Sequence, residues 1–306
     1  MAKKNKKNEN LPEGMSRRQA KLAARAAERA ALEKDARPYG GIGGEADLIA
    51  LQEFVPSATA KVAVTGIDRD VHIATVLPGG AAAMIREEDN GGAAFVALQT
   101  TAHSQNPGRD LAYALNWLKD AEPGQTLESG VADGSQPALG ELIAADATLE
   151  ITEHQDFNWW LPEGTELDAA TAQALQAAND SVVESHRVDT EIPGAVWWVN
   201  PGGGKAHIRW VRPEDNEDAL LNALARVAAR GELNLGENTK FAGAFRTHGI
   251  IVPVFDLDPE VAWDSYGAEL SRVSAAVDAE VSNDAQLTAD ERKQLQNIKS
   301  RQVTIR

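Results

Sequence analysis

The chain has 306 residues, of which 43% are hydrophobic and 25% charged, with no cysteine and a formal net charge of −16 at pH 7. This composition is typical of a globular protein with one large domain or two ordinary ones. It excludes disulfides, thiolate nucleophiles and zinc sites that need sulfur. No apolar run approaches the roughly 20 residues of a membrane-spanning helix, and no apolar segment follows the charged N-terminus as in a secretory signal. We therefore expect a cytoplasmic protein.

The charge divides the chain into a basic arm and an acidic body. Residues 1–37 carry a net charge of +6, which leaves −22 on residues 38–306. Residues 1–15 form a Lys/Asn-rich tail that we predict to be disordered. Residues 16–37 are rich in Ala, Leu, Glu, Arg and Lys, which predicts a basic helix with Ser16 as its N-cap.

The arm has three open interpretations. It is a solvated, partly formed helix, or it contacts the protein's own acidic body, or it docks on an anionic partner such as RNA or the ribosome. The acidic body repels nucleic acid, so contact with RNA would have to come from the arm. The residues predicted to carry that contact are Arg17, Arg18, Lys21 and Arg25.

A Pro/Gly linker, RPYGGIGG at 37–44, precedes the first predicted α+β unit, residues 38–130. Gly41, Gly43 and Ala46 match the spacing GxGxxA, but no strand precedes them, which argues against a dinucleotide site. The hydrophobic pattern predicts a helix, a hairpin of two strands with Asp68 to Asp70 at its turn, an ambiguous segment, a strand and a helix. Their predicted ranges are 45–54, 59–65, 71–77, 81–88, 93–100 and 108–121.

The second predicted unit, residues 131–281, repeats this order. We expect a helix, two strands, an additional helix and then a hairpin around a Pro-Gly-Gly-Gly turn. A helix ended by Gly231 follows the hairpin. Next come two strands that include Pro253 at an edge or a bulge, and a helix with Asp258 as N-cap. The ranges are 137–145, 148–153, 156–161, 166–186, 195–211, 214–230, 241–257 and 259–281. Residues 282–306 contain a last helix at 287–300, with a capping box of Thr288 and Glu291, and a basic tail.

The predicted fold class is therefore α+β. The similarity of DLAYALNWLKDAEPG to DALLNALARVAARGE favours two diverged copies of a helix–strand–strand–hairpin–helix unit. A basic helical arm precedes the copies and C-terminal helices follow them.

Two pairs of adjacent tryptophans, Trp159-Trp160 and Trp197-Trp198, are the candidate binding residues. Neighbours on a strand point to opposite faces, so each pair should send one ring outward unless both faces are covered. With the hairpin loop at 201–204, Trp198 shares its face with His207 and Arg209, and a shift of one residue would reverse this. Either all four rings belong to the core, or Trp160 and Trp198, with His207 and Arg209, line a binding surface.

The search for catalytic and cofactor motifs is negative. NPGGGK at 200–205 lacks the first glycine and the hydroxyl residue of a P-loop, and is interpreted as a hairpin turn. Glu153, His154 and Asp156 are the tightest acid and imidazole cluster, but a predicted turn accounts for their polarity. No GxSxG elbow is present. We assign no catalytic residue, no metal ligand and no cofactor, and regard an enzyme as the less favoured class.

Four segments carry a resemblance to a known family: LPEGMSRRQAKLAARAAERAAL, EADLIALQEFVPSATAKV, FRTHGIIVPVFDL and LTADERKQLQNIKSRQVTIR. Together they resemble an uncharacterised actinobacterial family of unknown function over essentially the whole chain. Some of its members carry automatic names borrowed from the SecA preprotein translocase. Such a name implies an ATPase motor, which the absence of a Walker A motif does not support. The resemblance implies no catalytic residue and no cofactor.

The leading functional hypothesis is a non-enzymatic binding or adaptor protein whose basic arm contacts RNA or the ribosome. One alternative is an enzyme with an acidic and histidine site in the cleft between the two copies. Another is a protein that binds a protein partner in secretion or division. Oligomeric state is left open.

Overall fold

The computed structural model describes residues 34–162 and 164–304. The predicted tail at 1–15 and nearly all of the predicted basic helix, with Arg17, Arg18, Lys21 and Arg25, lie outside the described residues. Within the described ranges the fold is α+β, with two six-stranded sheets. No helix in these ranges is long and apolar enough to cross a bilayer.

The first sheet has the strand order β5-β3-β4-β2-β1-β6. Strands β2 and β4 run parallel, whereas the other neighbouring pairs are antiparallel. The predicted hairpin of the first two strands is confirmed. The last strand, assigned by sequence to the second unit, pairs with β1, so the predicted division at residues 130/131 does not coincide with the division between the sheets. The strands are β1 (Ala58–Val62), β2 (Val71–Val76), β3 (Ala83–Ile85), β4 (Ala94–Gln99), β5 (Thr126–Leu127) and β6 (Glu150–Glu153).

The second sheet has the order β12-β10-β11-β9-β8-β7 and is antiparallel except for the pair β10 and β12. Its strands are β7 (Glu184–Arg187), β8 (Ala195–Asn200), β9 (Ala206–Val211), β10 (Lys240–Thr247), β11 (Ile250–Leu257) and β12 (Val303–Thr304). The predicted hairpin at 195–211 and the two strands at 241–257 are confirmed as elements.

Helices pack against the faces of both sheets. The α-helices of the described ranges are α1 (Glu45–Glu53), α2 (Pro107–Trp117), α3 (Leu139–Leu142), α4 (Ala169–Asn179), α5 (Glu217–Ala229), α6 (Gly267–Val281) and α7 (Ala289–Ser300). The capping box of α7 is confirmed, since Thr288 Oγ1 accepts from the Glu291 amide at 3.3 Å and Glu291 returns a bond to the Thr288 amide at 2.7 Å. Gly231 follows α5 with a φ of 75°, as predicted for a residue that ends a helix.

One continuous core joins the two sheets. Helix α1 lies between them, and its apolar residues, with those of α2 and α3, pack against inward-facing residues of both sheets, including Ile73, Val96, Trp197 and Val252. A second core, with Ile208 and Trp210, fills the space between the other face of the second sheet and α5, α6 and α7. A small third core lies on the outer face of the first sheet around Phe95. Both faces of the second sheet are therefore buried.

Several predicted elements are wrong in type or extent. The predicted strand at 156–161 contains a 3-10 turn, Asn158–Trp160. The additional helix predicted at 166–186 ends at Asn179, and the edge strand β7 takes its last residues. The helix predicted from Pro259 begins at Gly267, after a 3-10 turn at Trp263–Tyr266. The local sequence of Ala-rich and polar segments is compatible with helix, strand or turn, and contacts in the folded protein decide which of these forms.

The edge prediction for Pro253 is also wrong, because β11 lies between β10 and β9. The strand tolerates the missing N–H where pairing is irregular. The pairing of β11 with β9 covers Val254 to Leu257 and so begins one residue after the proline, and the neighbouring strand β10 has a bulge between Phe241 and Gly243.

Candidate functional site

A cavity of about 1280 Å³ lies between the two halves of the fold. Val76 and Leu98, at the carboxyl ends of the parallel strands β2 and β4, form part of its wall, as do Pro107 and Leu111 in the first turns of α2. The carboxyl end of parallel strands is where ligands of open α/β sheets bind, since the strands end and a helix begins there. The β10–β11 turn closes the cavity from the second sheet.

That turn has two residues, His248 and Gly249, between the paired residues Thr247 and Ile250. Their φ angles of 46° and 77° are those of a type I′ hairpin turn. The position of His248 usually holds Asn, Asp or Gly, because a Cβ crowds the backbone in the left-handed region. A Cβ on Gly249 would lie 2.3 Å from the Ala36 carbonyl oxygen, so the turn rests against the chain segment that enters the body.

Glu53 and His248 form a hydrogen-bonded pair at the cavity wall. His248 Nε2 donates to Glu53 Oε1 at 2.6 Å, and each side chain is only 13% exposed. Glu53 is the last residue of α1, so the contact joins the helix between the sheets to the turn of the second sheet. The Tyr39 ring lies 5.5 Å from the imidazole, centroid to centroid, and holds it from one side.

Tyr39 is buried, and its hydroxyl donates to Gln52 Oε1 at 2.6 Å. Burial raises the pKa of the Tyr39 phenol far above its ordinary value, and the negative charges of Glu53 and Asp110 raise it further. The phenol therefore stays neutral and remains a hydrogen-bond donor.

Several other charged groups around the cavity have partners within the protein. The Asp110 carboxylate accepts from the backbone amides of Ser104 at 2.6 Å and Ala132 at 2.9 Å, which fixes the loop before α2. Glu217 pairs with Arg246. The rim near residue 35 is attached by a hydrogen bond of 2.7 Å from the Asp35 amide to Asn106 Oδ1.

The cavity has an oriented imidazole without an assembled nucleophile. Thr100 Oγ1 donates to the Ala102 carbonyl at 3.0 Å, and Thr101 Oγ1 donates to the Gly79 carbonyl at 3.3 Å. In the described ranges, Glu53 is the hydrogen-bond partner of the His248 ring. The arrangement can bind and orient a polar ligand, and it lacks the hydroxyl-to-imidazole contact of nucleophilic hydrolysis.

The four predicted binding residues do not form one surface. Trp198 lies opposite Ile208 and is 3% exposed in the core beneath α5 and α6, so its predicted place on a binding surface is wrong. His207 and Arg209 lie on the other face of the sheet, toward α1. The pairing is shifted by one residue from the predicted register, because the turn after Asn200 includes three consecutive left-handed glycines.

Trp160 lies elsewhere, on the first half of the fold. Its ring is half-buried and stacks on Phe157 with centroids 4.4 Å apart, and its Nε1 donates to the Val76 carbonyl at 3.1 Å. Trp160 thus anchors the 3-10 turn to β2, and its indole N–H has an acceptor within the protein.

Glu153, His154 and Asp156 do not converge on one point. Glu153 accepts from His186 Nδ1 at 3.1 Å and from the Arg187 amide at 2.6 Å. His154 contacts Thr59 Oγ1 at 3.1 Å and stacks on Trp159, and burial lowers the pKa of its imidazole. Across residues 34–162 and 164–304, no three His, Asp or Glu side chains come together as a metal site.

Sequence reasoning did not predict Glu53 and His248 as a pair, since 195 residues separate them. One signal was present in the chain: His-Gly between two apolar runs at 241–257 indicates a two-residue turn with an unusual first residue.

Comparison with known proteins gives a family and no closer relative. The model of a family of unknown function, DUF5926, matches residues 38–306. Neither the search of curated proteins nor the search of solved structures found a match. The matched region includes both sheets, the Glu53–His248 pair and the residues that line the cavity from Pro38 onward. The chain belongs to this family of unknown function, DUF5926.

Proposed function

We propose that the protein is a non-enzymatic binding protein and that its body holds a small polar ligand in the cavity between the sheets. The observation that carries the proposal is the Glu53–His248 pair on the cavity wall, with 2.6 Å between Glu53 Oε1 and His248 Nε2. Its imidazole belongs to a residue in the left-handed region. Unfavourable backbone conformations of this kind persist where the surrounding structure enforces them, and they cluster at ligand sites.

The size and position of the cavity support a ligand of metabolite size. Pockets for drug-sized ligands have volumes of roughly 300–1000 Å³. The cavity, at about 1280 Å³, is therefore large enough to hold a ligand of metabolite size. Its position between the sheets, against α1, lets a ligand contact both halves of the body. Since Asp110 and Glu217 already have partners, hydrogen bonding by neutral polar groups is the expected mode of recognition.

The test is native mass spectrometry of the full-length protein after incubation with a small-molecule extract of its own cells. We expect a bound mass that is absent from His248→Asn, because Asn keeps the left-handed turn but does not reproduce the imidazole. His103→Asn is the matched control, since His103 also lines the cavity but is exposed and contacts the Ser104 carbonyl oxygen. A mass retained equally by both variants, or no bound mass, contradicts the proposal.

An enzyme is the second candidate, and the same pair favours it. A carboxylate that orients an imidazole beside a cavity is the arrangement used for general base catalysis. If the protein is an enzyme, turnover of a small-molecule substrate will be lost in His248→Asn and in Glu53→Gln and kept in His103→Asn. The missing hydroxyl contact makes binding the better supported function.

The adaptor role of the arm is a further part of the proposal. It is supported by the net charge of +6 on residues 1–37 and by the position of Lys34 and Asp35 on the cavity rim. The residues proposed to hold the anionic partner are Arg17, Arg18, Lys21 and Arg25. Co-sedimentation with ribosomes at low and moderate salt, with and without residues 1–33, tests this role, and equal binding by both forms contradicts it.

We also retain an internal duplication as a proposal. It is supported by the presence in each half of a six-stranded sheet and an amphipathic helix, α2 or α5. The parallel pair β2 and β4 has no equivalent at β9 and β11, which are antiparallel. Superposition of the two halves in chain order, in an experimental structure of a family member, would decide the question.

A further inference from the structure

Arg209 lies on the face of the second sheet that looks toward the first sheet. It belongs to β9, opposite Trp197 of β8, and its guanidinium carbon is 5.1 Å from the centroid of the Phe54 ring at the end of α1. The side chain is half-buried and does not line the 1280 Å³ cavity.

Among the described residues, no acceptor is paired with the guanidinium of Arg209. Several other partly or fully buried arginines pair with carboxylates, namely Arg37 with Glu45, Arg187 with Asp47, Arg212 with Asp278 and Arg246 with Glu217, whereas Arg86 donates to the Trp159 carbonyl. Across the part of the chain that the structure describes, Arg209 makes no hydrogen bond or ion pair, and its guanidinium lies over the Phe54 ring. Burial lowers the pKa of Arg209, and no neighbouring carboxylate opposes that effect.

Asp256 of β11, which lies opposite His207 on this face, is already engaged. Asp256 lies 2.8 Å from Lys205 Nζ and 3.1 Å from His207 Nδ1. Lys205 therefore already balances its negative charge, and among the described residues Arg209 has no paired counter-ion.

A second donor without an acceptor lies beside Arg209. Trp197 is fully buried, and its indole Nε1 has no hydrogen-bond partner. Directly opposed residues of an antiparallel pair have Cβ atoms about 4.5–5.5 Å apart, so the two side chains are neighbours on one face. Buried donors without acceptors are rare in folded proteins, and each one requires an explanation.

We propose that Arg209 and the indole N–H of Trp197 form an oxyanion site that receives a carboxylate or phosphate group. The planar guanidinium supplies two parallel N–H donors to such a group, and the half-buried position strengthens the bond by excluding water. The Phe54 ring holds the guanidinium from one side. This site is separate from the cavity and from its ligand.

The test follows the tryptophan indole N–H resonances by NMR while the full-length protein is titrated with sodium acetate and, in parallel, with sodium phosphate at constant ionic strength. Trp197 is assigned through its backbone, so no variant of this core residue is needed. We expect a saturable shift of the Trp197 resonance in one or both series. The anion that saturates at the lower concentration identifies the preferred group.

Arg209→Gln should abolish the saturable shift, and Arg272→Gln should keep it, because Arg272 is an exposed arginine already paired with Glu269. The same anion should raise the melting temperature of the wild type and of Arg272→Gln but not of Arg209→Gln. A shift that stays linear in both titrations, or that is unchanged in a folded Arg209→Gln protein, overturns the proposal.

Discussion

At the scale of single residues, the β10–β11 turn combines a backbone requirement with close packing. Gly249 has a φ of 77°, and a Cβ there would lie 2.3 Å from the Ala36 carbonyl oxygen. Gly202, in the turn after β8, has a φ of 85° and no atom within 4 Å of a Cβ. Alanine substitutions at the two glycines therefore distinguish the cost of the left-handed backbone conformation from the cost of steric overlap.

We expect Gly249→Ala to lower the free energy of unfolding by at least about 2 kcal/mol, because left-handed strain and overlap with a backbone oxygen add. Gly202→Ala should cost only about 1 kcal/mol, the strain alone. Urea unfolding of both variants measures the difference. Equal losses would show that the turn does not rest against residue 36 as described.

Two half-buried imidazoles predict how stability changes with pH. Burial lowers the pKa of His72, stacked on Phe95, and of His154, stacked on Trp159. The unfolded chain, with a histidine pKa of about 6.5, then binds more protons than the folded protein at mildly acidic pH. Stability from these groups is complete above about pH 6.5 and is lost as the pH falls toward their lowered pKa values.

Urea unfolding at pH 7.5 and at pH 5.5 measures this loss. The double variant His72→Gln, His154→Gln should show a smaller loss of stability between these two pH values than the wild type, since glutamine does not titrate. His103→Gln serves as the control at an exposed position. An unchanged loss in the double variant would contradict the assignment to these two imidazoles.

The stability of a Trp198 variant distinguishes a buried position of this side chain from a position on a binding surface. Trp198 is 3% exposed between the second sheet and its helices. Trp198→Ala should therefore destabilise the protein by about 3–5 kcal/mol through loss of packing and formation of a cavity. Guanidinium unfolding checks this, and a loss below about 1 kcal/mol would return Trp198 to the surface as the sequence had suggested.

At the scale of elements, two helix N-caps differ in what their helices bury. Thr288 caps α7, which packs on α5 and buries Ile298. Asp168 caps α4 through the Thr171 amide at 2.8 Å, but no residue of α4 is buried. A cap contributes to global stability only if its helix is part of the cooperative core.

Thr288→Ala should lower the free energy of unfolding by about 1 kcal/mol. Asp168→Ala should leave it within about 0.5 kcal/mol of the wild type while raising amide hydrogen exchange in α4 alone. Unfolding and exchange measurements on both variants check this. A global loss of similar size in both would show that α4 is part of the core.

Local sequence signals predicted an element correctly where its conformation does not depend on contacts with distant parts of the chain. The capping box of α7, the glycine after α5 and the hairpin of β1 and β2 follow from spacing and turn chemistry. Residues 184–186 were predicted as the end of the helix at 166–186. They form a strand because β8 offers an unpaired edge, and that edge is a property of the folded sheet.

At the scale of the whole molecule, α1 and the inner faces of both sheets form one core. Strand β6 pairs with β1 although it follows the predicted boundary between units. Neither sheet buries its inner face without the other, so the body should unfold as a single cooperative unit.

We expect one transition in urea, with the same midpoint by far-UV circular dichroism and by tryptophan fluorescence. The fluorescence samples both halves, since Trp117, Trp159 and Trp160 precede the second sheet and Trp197, Trp198 and Trp210 belong to it. Two separate transitions would show that the halves are independent domains.

The sequence by itself determined the fold class, the charge division between arm and body, most helices and strands, and the absence of cysteine chemistry. These properties depend on composition and on periodicities of a few residues. The tertiary structure alone decided that Glu53 meets His248, that Trp198 is buried, and that Arg209 and Trp197 lie opposite each other on neighbouring strands. Contacts between residues far apart in the chain depend on strand order and on a register in which one residue of shift exchanges the two faces, and local patterns do not specify either.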